Sequence, residues 1–262
     1  MTGTVAVPLW LLILIVVLAA ISFLSHFLFP SVRWYFRRRM ERVVGELNKR
    51  LDRPIQPFKL MERNDMIVRL VHDPKVAEAV VAEAAETGEP ESVVQQRART
   101  YAREIVPSFS ASLYFGVATR LARWLARLIY RVRIGEFDAV AIEAIDRNAT
   151  VVFVMNHRSN MDYVLVTYLA AGRTALSYAV GEWARVWPLS GLIRSMGAYF
   201  IRRKSNNPLY RRVLMRYVQM ATEAGVTQAI FPEGGLSLDG RVGAAKLGLL
   251  SYIVTGHEPG AR

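Results

Sequence analysis

The sequence predicts an α/β fold with a central, largely parallel sheet flanked by helices. Between residues 134 and 257, short apolar runs alternate with longer amphipathic stretches. Each run ends in polar or turn-forming residues. The pair Asn207-Pro208 is a strong helix start, and Gly225 is a typical helix stop between two of the runs. We expect a single N-terminal transmembrane helix and a helical region to precede this sheet domain.

Three regions follow from this pattern. We predict a transmembrane anchor over residues 1–32, a helical membrane-proximal region over 33–133, and the α/β domain over 134–262. Prolines and a Gly-Glu-Pro turn divide the middle region into several helices. No chemistry is evident in that middle region.

The N-terminal apolar stretch runs from Leu9 to Phe29 and carries no Asp, Glu, Lys or Arg. About twenty such residues match the hydrocarbon core of a bilayer. A secretory signal peptide would instead have a basic start, a shorter apolar run and a small-residue cleavage site. Arginines from Arg33 to Arg42 follow the stretch, and no charge precedes it. The positive-inside rule then predicts a single-pass membrane protein with the rest of the chain, including the α/β domain, on the cytoplasmic side.

Composition narrows the classes of function. The 262 residues include no Cys, so disulfides and thiolate chemistry are excluded. The four His are scattered without metal-ligand spacing, and no metal site is expected. A formal net charge of +12 favours anionic partners such as a phospholipid bilayer or phosphorylated small molecules. No nucleic-acid partner is expected, because no basic-aromatic binding motif accompanies the charge.

The first apolar run of the α/β domain, Val151 to Met155, predicts a buried strand followed by a turn with His157 and Asp162. Positions five apart diverge by roughly 140° on an ideal helix, so the two side chains meet only if His157 lies in the loop and Asp162 in the first helical turn. The carboxylate would then fix the imidazole tautomer and leave the other ring nitrogen as a general base. A capping box from Ser159 to Asp162 is an open alternative.

Two further runs carry polar residues at their carboxyl ends. The run from Gly197 ends in Arg202, Arg203 and Lys204. The run Val226 to Phe231 ends in a turn that contains Glu233, Gly234 and Gly235. In a parallel sheet all three strand ends share one rim, which would combine a base, a cationic cluster for phosphate and a glycine turn. Each feature alone is also compatible with a solvated strand end or an ordinary turn.

A basic amphipathic helix is predicted near residue 125. Arg120, Arg123, Arg127 and Arg131 recur at spacings of three and four, and large apolar residues fill much of the opposite side. Such a helix can lie on an anionic membrane, or its arginines can form a solvated face while the apolar side packs inward.

Three sequence blocks resemble those of the glycerolipid acyltransferase superfamily. They are Asn156-His-Arg-Ser-Asn-Met-Asp162, Gly197 to Arg203, and Phe231-Pro-Glu-Gly234. Together they cover about residues 140 to 255. The second block and Asn207-Pro-Leu-Tyr210 look most like the glycerol-3-phosphate sn-1 acyltransferase branch.

This resemblance implies transfer of a fatty acyl group from acyl-CoA or acyl carrier protein to the sn-1 hydroxyl of glycerol 3-phosphate, without a further cofactor. It implies that His157 is the general base and that Asp162 orients it. Arg203, with Arg202, is expected to hold the acceptor phosphate. The other residues expected at the substrate site are Arg158, Ser159, Glu233, Gly234 and Gly235.

The chain departs from the family pattern in two places. Leu236 stands where an Arg is usual, so we expect Arg241 or Lys246 to substitute, or the acceptor to differ. A lysophosphatidate sn-2 acyltransferase is therefore an open alternative, and a non-catalytic membrane protein that binds anionic lipid is another. A fourth family block would lie beyond Arg262, so we expect the chain to be truncated.

Overall fold

The computed structural model describes residues 8–133, 135, 136, 138–146, 149–170, 173–187, 189–202, 205–237 and 239–256. The chain forms two compact units, one up to Leu47 and one from Asn48 onward. The first unit consists mainly of helix α1, Leu9–Arg50. Its described apolar residues at the N-terminal end are largely exposed. Within the described residues, no helix meets the length and apolarity needed to cross a bilayer. The predicted transmembrane helix is thus not confirmed.

The second unit begins with helices of the region that was predicted to be helical. They are α2 (Pro57–Leu60), α3 (Arg63–Val71), α4 (Pro74–Thr87) and α5 (Glu91–Ile105). Asp73 caps α4 by accepting from the backbone N–H of Lys75, and Pro74 occupies the first helical position. Gly88 ends the helix at φ +70°, a conformation that glycine adopts without a steric penalty.

A second group of helices leads towards the sheet. It comprises α6 (Ala111–Leu113), a π-helical turn (Tyr114–Ala118), α7 (Thr119–Ile129) and α8 (Ala139–Glu143). Ala118, Ala122 and Ala126 form the buried stripe of the α7 segment. Small side chains therefore face the protein interior, and most of the large apolar side chains of α7 are exposed.

The sheet has four strands, which are β1 (Val152–Val154), β2 (Ser177–Gly181), β3 (Ala198–Ile201) and β4 (Gln228–Ile230). Their order is β1-β4-β2-β3, and the described pairings are all parallel. The remaining helices are α9 (Asp162–Ala170), α10 (Leu189–Ser195), α11 (Pro208–Glu223) and α12 (Gly248–Thr255). The predicted α/β fold with a parallel sheet flanked by helices is confirmed.

Helices cover both faces of the sheet. Helices α3, α4, α5 and α11 pack on one face, where they bury Tyr199 and Ile230. Helix α9 packs on the other face, where Val166 meets Tyr178 and Phe200. Alternate strand residues point to opposite faces, so each short strand contributes to both cores. The helices from residue 48 to 133 and the sheet thus belong to one compact unit.

A buried lysine joins this helical region to the sheet. Lys59 of α2 is 8% exposed, and its ammonium donates to the carbonyl oxygens of Ala175 and Leu176 just before β2. Burial lowers the pKa of Lys59 well below its ordinary value. A Cβ at Gly197 would lie 2.8 Å from Lys59 Cε, and Gly197 has φ +90°. Glycine is therefore required where the lysine crosses to the sheet.

Candidate active site

The imidazole of His157 lies at the carboxyl end of β1. Its Nδ1 is 3.1 Å from Asp162 Oδ2, and the residue is 1% exposed. The rings of Phe231 and Tyr163 flank it, with centroids 4.4 and 5.2 Å from the imidazole centroid. Because an ionised carboxylate only accepts hydrogen bonds, this contact assigns the proton to Nδ1 and leaves Nε2 as an acceptor.

Asp162 orders the turn as well as the imidazole. It is the first residue of α9, and its Oδ2 also accepts from the backbone N–H groups of Arg158, at 2.7 Å, and Ser159, at 2.9 Å. Ser159 Oγ accepts from the backbone N–H of Met161 at 3.1 Å. The carboxylate therefore fixes the loop backbone and the His157 ring together. Asp162 therefore pairs with His157 and also accepts hydrogen bonds from the loop backbone. In a capping box, Ser159 Oγ would accept from the backbone N–H of Asp162, but here it accepts from that of Met161.

The second ring nitrogen of His157 has no hydrogen-bond partner among the residues that the structure describes. Nε2 is a buried polar atom that makes no hydrogen bond to any described residue. An unsatisfied buried acceptor costs free energy, and a catalytic role is one of the explanations for such an atom in a native structure. A hydroxyl group delivered by a ligand would satisfy Nε2.

Glu233 braces the loop that carries His157. Its Oε1 accepts from the backbone N–H of His157 at 3.0 Å, and its Oε2 accepts from that of Gly243 at 3.1 Å. Those two backbone hydrogen bonds hold the pKa of Glu233 below its ordinary value. The backbone N–H of Ser237 also donates to the carbonyl oxygen of His157 at 2.8 Å. Both carboxylate oxygens are thus occupied by the scaffold, so Glu233 shapes the site.

A cavity of ≈ 250 Å³ opens at this rim of the sheet. His157, Arg202 and Gly234 all line it, although they come from three separate strand ends. Lys246 and Arg211 add positive charge to its wall, and an apolar part is formed by Ile201, Leu214, Ile230, Leu249 and Leu250. The rim therefore joins a base, cations and an apolar surface in one space, the combination expected of a pocket for an anionic and partly apolar ligand.

Arg202 is held firmly on this wall. Its Nε is 2.9 Å from Glu104 Oε2, and its Nη2 is 2.5 Å from Glu104 Oε1. The guanidinium also lies near the rings of Tyr101 and Tyr210. Sequence reasoning missed Glu104, because it lies in the helical region and no spacing connects it with Arg202. Arg203, the other predicted phosphate ligand, lies outside the described residues.

Five predicted site residues do not line this cavity. Asp162 and Glu233 instead hold the loop that carries His157. The other three are Arg158, Ser159 and Gly235. Arg158 is exposed, and its charge contributes to lowering the pKa of Glu233. An added Cβ on Gly235 would meet no atom within 4 Å. Arg158, Ser159 and Gly235 lie in the loops that follow β1 and β4.

Arg241 and Lys246, the two residues expected to substitute for the Arg that Leu236 replaces, lie in different surroundings. Lys246 lines the cavity, and its ammonium makes no side-chain hydrogen bond or ion pair within the described part of the chain. The side chain of Arg241 is 88% exposed and lies 3.9 Å from Asp239. Lys246 is therefore the candidate that the structure brings to the cavity. No group of metal-binding side chains occurs among the residues described.

Comparisons with known proteins agree with this geometry. Residues 137–257 match the acyltransferase family model. Glycerol-3-phosphate acyltransferases from Pseudoalteromonas atlantica, Shewanella amazonensis and Pasteurella multocida are 28%, 31% and 32% identical to the chain. These alignments cover 89%, 88% and 75% of the chain but 28%, 28% and 24% of those relatives.

The chain thus spans about a quarter of the length of the curated relatives it matches. The alignments are also much longer than the 137–257 segment, so they include helices that precede the sheet. Residues 137–257, which contain the four strands of the parallel sheet, thus match a domain of the acyltransferase family.

Proposed function

We propose that this chain transfers a fatty acyl group from an acyl thioester, acyl-CoA or acyl carrier protein, to the sn-1 hydroxyl of glycerol 3-phosphate. The observation that carries the proposal is the buried Nε2 of His157, which has no hydrogen-bond partner in the described part of the chain and belongs to a residue that lines a cavity with cationic walls. Support for the acceptor comes from the relatives, which are named glycerol-3-phosphate acyltransferases.

In the proposed reaction, His157 Nε2 removes the proton from the acceptor hydroxyl as its oxygen attacks the thioester carbonyl carbon. A C–O bond forms, the C–S bond breaks, and the proton passes from the imidazolium to the departing thiolate. Asp162 holds the ring by Nδ1 and stabilises the imidazolium. The low exposure of His157 keeps bulk water away from the base, which favours acyl transfer over hydrolysis.

Stabilisation of the oxyanion is constrained by the hydrogen bonds already made. The backbone N–H groups of Arg158 and Ser159 both donate to Asp162. They are therefore committed to the loop and poorly placed to serve an oxyanion. The exposed side chain of Arg158 is the cation left for that role in this turn.

The acceptor phosphate is assigned to the cationic wall. Lys246 and Arg202 line the cavity, and Arg203 directly follows Arg202 in the sequence. A guanidinium and an ammonium on the same wall suit a phosphate dianion. The apolar part of the cavity, which includes Leu249 and Leu250, would lie against the first methylene groups of the acyl chain.

Substitution of His157 tests the function. His157→Ala is expected to lower turnover with glycerol 3-phosphate by at least about 10²-fold, the scale of general-base catalysis. His72→Ala is the matched control, because His72 lies at the end of α3 and its ring nitrogen contacts the local carbonyl oxygen of Val68. Near-normal turnover in the His157 variant would refute the base assignment.

An acceptor panel separates the remaining alternatives. Preference for lysophosphatidate over glycerol 3-phosphate would favour the sn-2 acyltransferase, which Leu236 leaves open. Lipid binding without acyl transfer to either acceptor would favour a non-catalytic lipid-binding protein. Parallel assays with acyl-CoA and acyl carrier protein identify the donor.

We further propose that the enzyme acts at the cytoplasmic surface of a membrane and contacts it through α7. Leu121, Trp124 and Leu128 are 50%, 59% and 66% exposed, while alanines make the inward contacts of this helix. Beside this apolar stripe run Arg120, Arg123 and Arg127. An exposed apolar stripe bordered by arginines fits an anionic phospholipid surface.

Vesicle sedimentation tests the membrane contact. Replacing Leu121, Trp124 and Leu128 by Ser is expected to weaken binding to vesicles containing phosphatidylglycerol by about tenfold or more, since each side chain would bury apolar area in the interface. The matched control replaces Val81 and Val93, which are similarly exposed on α4 and α5, by Ser. Equal binding of both variants would remove α7 from the proposal.

A further inference from the structure

We propose that Glu104, in the helical region, is a positioning residue that aims Arg202 at the phosphate of the acceptor. This inference rests on the proposed glycerol 3-phosphate acyltransferase function. It gives the helical region a part in substrate recognition, although its sequence indicates no chemistry. Glu104 lies in α5, which precedes all three strand ends in the sequence.

The contact between Glu104 and Arg202 is bidentate. Nε and Nη2 of the guanidinium meet the two carboxylate oxygens at 2.9 and 2.5 Å. A two-point contact fixes the plane of the guanidinium as well as its position. Nη1 of Arg202 makes no hydrogen bond to any described residue, so its N–H groups remain for a ligand. The contact is thus suited to presenting one edge of the guanidinium to the cavity that Arg202 lines.

Two aromatic rings hold the same guanidinium. The Arg202 guanidinium carbon is 5.1 Å from the centroid of Tyr101, on α5, and 5.3 Å from that of Tyr210, on α11. The backbone N–H of Arg202 donates to the Tyr210 hydroxyl at 2.9 Å. Backbone and side chain are therefore both restrained, and a restrained cation loses less conformational entropy when a phosphate binds.

Charge gives Glu104 a second role. Arg185 Nη2 is 3.2 Å from Glu104 Oε2, so one carboxylate serves two guanidinium groups and the cluster keeps one net positive charge. Burial raises the pKa of Glu104, but the hydrogen bond from Arg202 and the charges of both arginines lower it below its ordinary value overall. Without this carboxylate the two cations would repel, and Arg202 would leave its position.

Binding of glycerol 3-phosphate measures this role independently of turnover. In the full chain, Glu104→Gln is expected to raise the Kd for glycerol 3-phosphate by about five- to tenfold and to raise the acceptor KM similarly. Little change is expected in kcat or in the donor KM. The matched control is Glu89→Gln. Glu89 forms an ion pair with Arg97, which lies in α5 like Glu104 but does not line the cavity. The control is expected to leave all four constants unchanged.

A double-mutant cycle distinguishes positioning from mere stabilisation. If Glu104 acts through Arg202, then Glu104→Gln adds little to the Kd of an Arg202→Met variant. An unchanged Kd in Glu104→Gln, or additive effects in the cycle, would overturn the proposal. Glu104→Asp retains the charge and serves if the Gln variant unfolds; it is expected to lose two- to threefold in affinity. If the parent chain binds glycerol 3-phosphate but shows no turnover, the proposed function is contradicted. The Kd values of the variants then still decide whether Glu104 positions Arg202.

Discussion

Lys246 lies across Gly234 at the edge of the cavity. A Cβ on Gly234 would stand 3.0 Å from Lys246 Cδ, and Gly234 has φ +63°. The backbone N–H of Lys246 donates to the carbonyl oxygen of Pro232 at 2.7 Å, which holds the two segments together. The glycine therefore provides the left-handed turn and also the space through which the lysine side chain reaches the cavity.

Gly234→Ala is expected to destabilise the protein by about 1–2 kcal/mol, because a side chain in the left-handed region is strained. The added methyl group would also displace Lys246 and weaken glycerol 3-phosphate binding. Chemical denaturation together with the Kd for glycerol 3-phosphate measures both effects. Gly235→Ala is the matched control, since its Cβ would meet nothing within 4 Å and its φ is not positive. Equal effects of the two substitutions would show that neither the turn nor the lysine matters.

Lys246→Met is expected to raise the acceptor KM by about tenfold or more, because a charge-assisted hydrogen bond contributes about 1.5–3 kcal/mol. Met retains much of the apolar stem that crosses Gly234. Arg241→Met removes the same charge from an exposed position and is expected to change the acceptor KM less than twofold. Steady-state kinetics with varied glycerol 3-phosphate provides the comparison. A larger effect at Arg241 than at Lys246 would exchange their roles.

The strand ends could be predicted from sequence because local patterns determine them. The apolar run Val151 to Met155 contains β1, and the Asn207-Pro208 start and Gly225 stop enclose α11. The prediction that the first strand is buried was wrong, because β1 lies at the edge of the sheet and Val154 is 59% exposed. The observed strands are shorter than the apolar runs, since pairing ends where each neighbouring strand ends. The meeting of His157 and Asp162 was also predictable, because only five positions separate them.

The partners of the rim residues depend on tertiary structure and were not predictable. Glu104 lies 98 positions before Arg202, and no local spacing connects them. On α7, the sequence pattern permitted the large apolar residues to pack inward, but Ala122 and Ala126 make the close contacts instead. Small residues permit a near approach between helices, a geometric choice that composition alone does not reveal.

Asp162→Asn tests the orientation of the base. The amide oxygen of Asn can take the place of Oδ2 and accept the same three hydrogen bonds, but the negative charge beside the His157 ring is lost. We expect kcat to fall by about 10²-fold or more, because the imidazolium that forms during the reaction is no longer stabilised by a carboxylate. Asp65→Asn, at an exposed carboxylate of α3, is the control. A kcat within threefold of the parent value would show that Asp162 serves only the loop.

Glu233 gives a prediction about acid stability. Its pKa is lowered in the folded protein by the backbone hydrogen bonds of His157 and Gly243, so the folded state binds this proton less readily than the unfolded chain does. The resulting stabilisation is present above the unfolded pKa of about 4.3 and is lost as the pH falls through the folded value. Glu233→Gln removes the titration. The difference in unfolding free energy between parent and variant is therefore expected to be largest near pH 6 and to shrink below pH 4. Urea denaturation across this pH range measures the difference, and Glu86→Gln, at an exposed carboxylate, is the control. A difference that stays constant with pH would show that the charge of Glu233 does not brace the His157 loop.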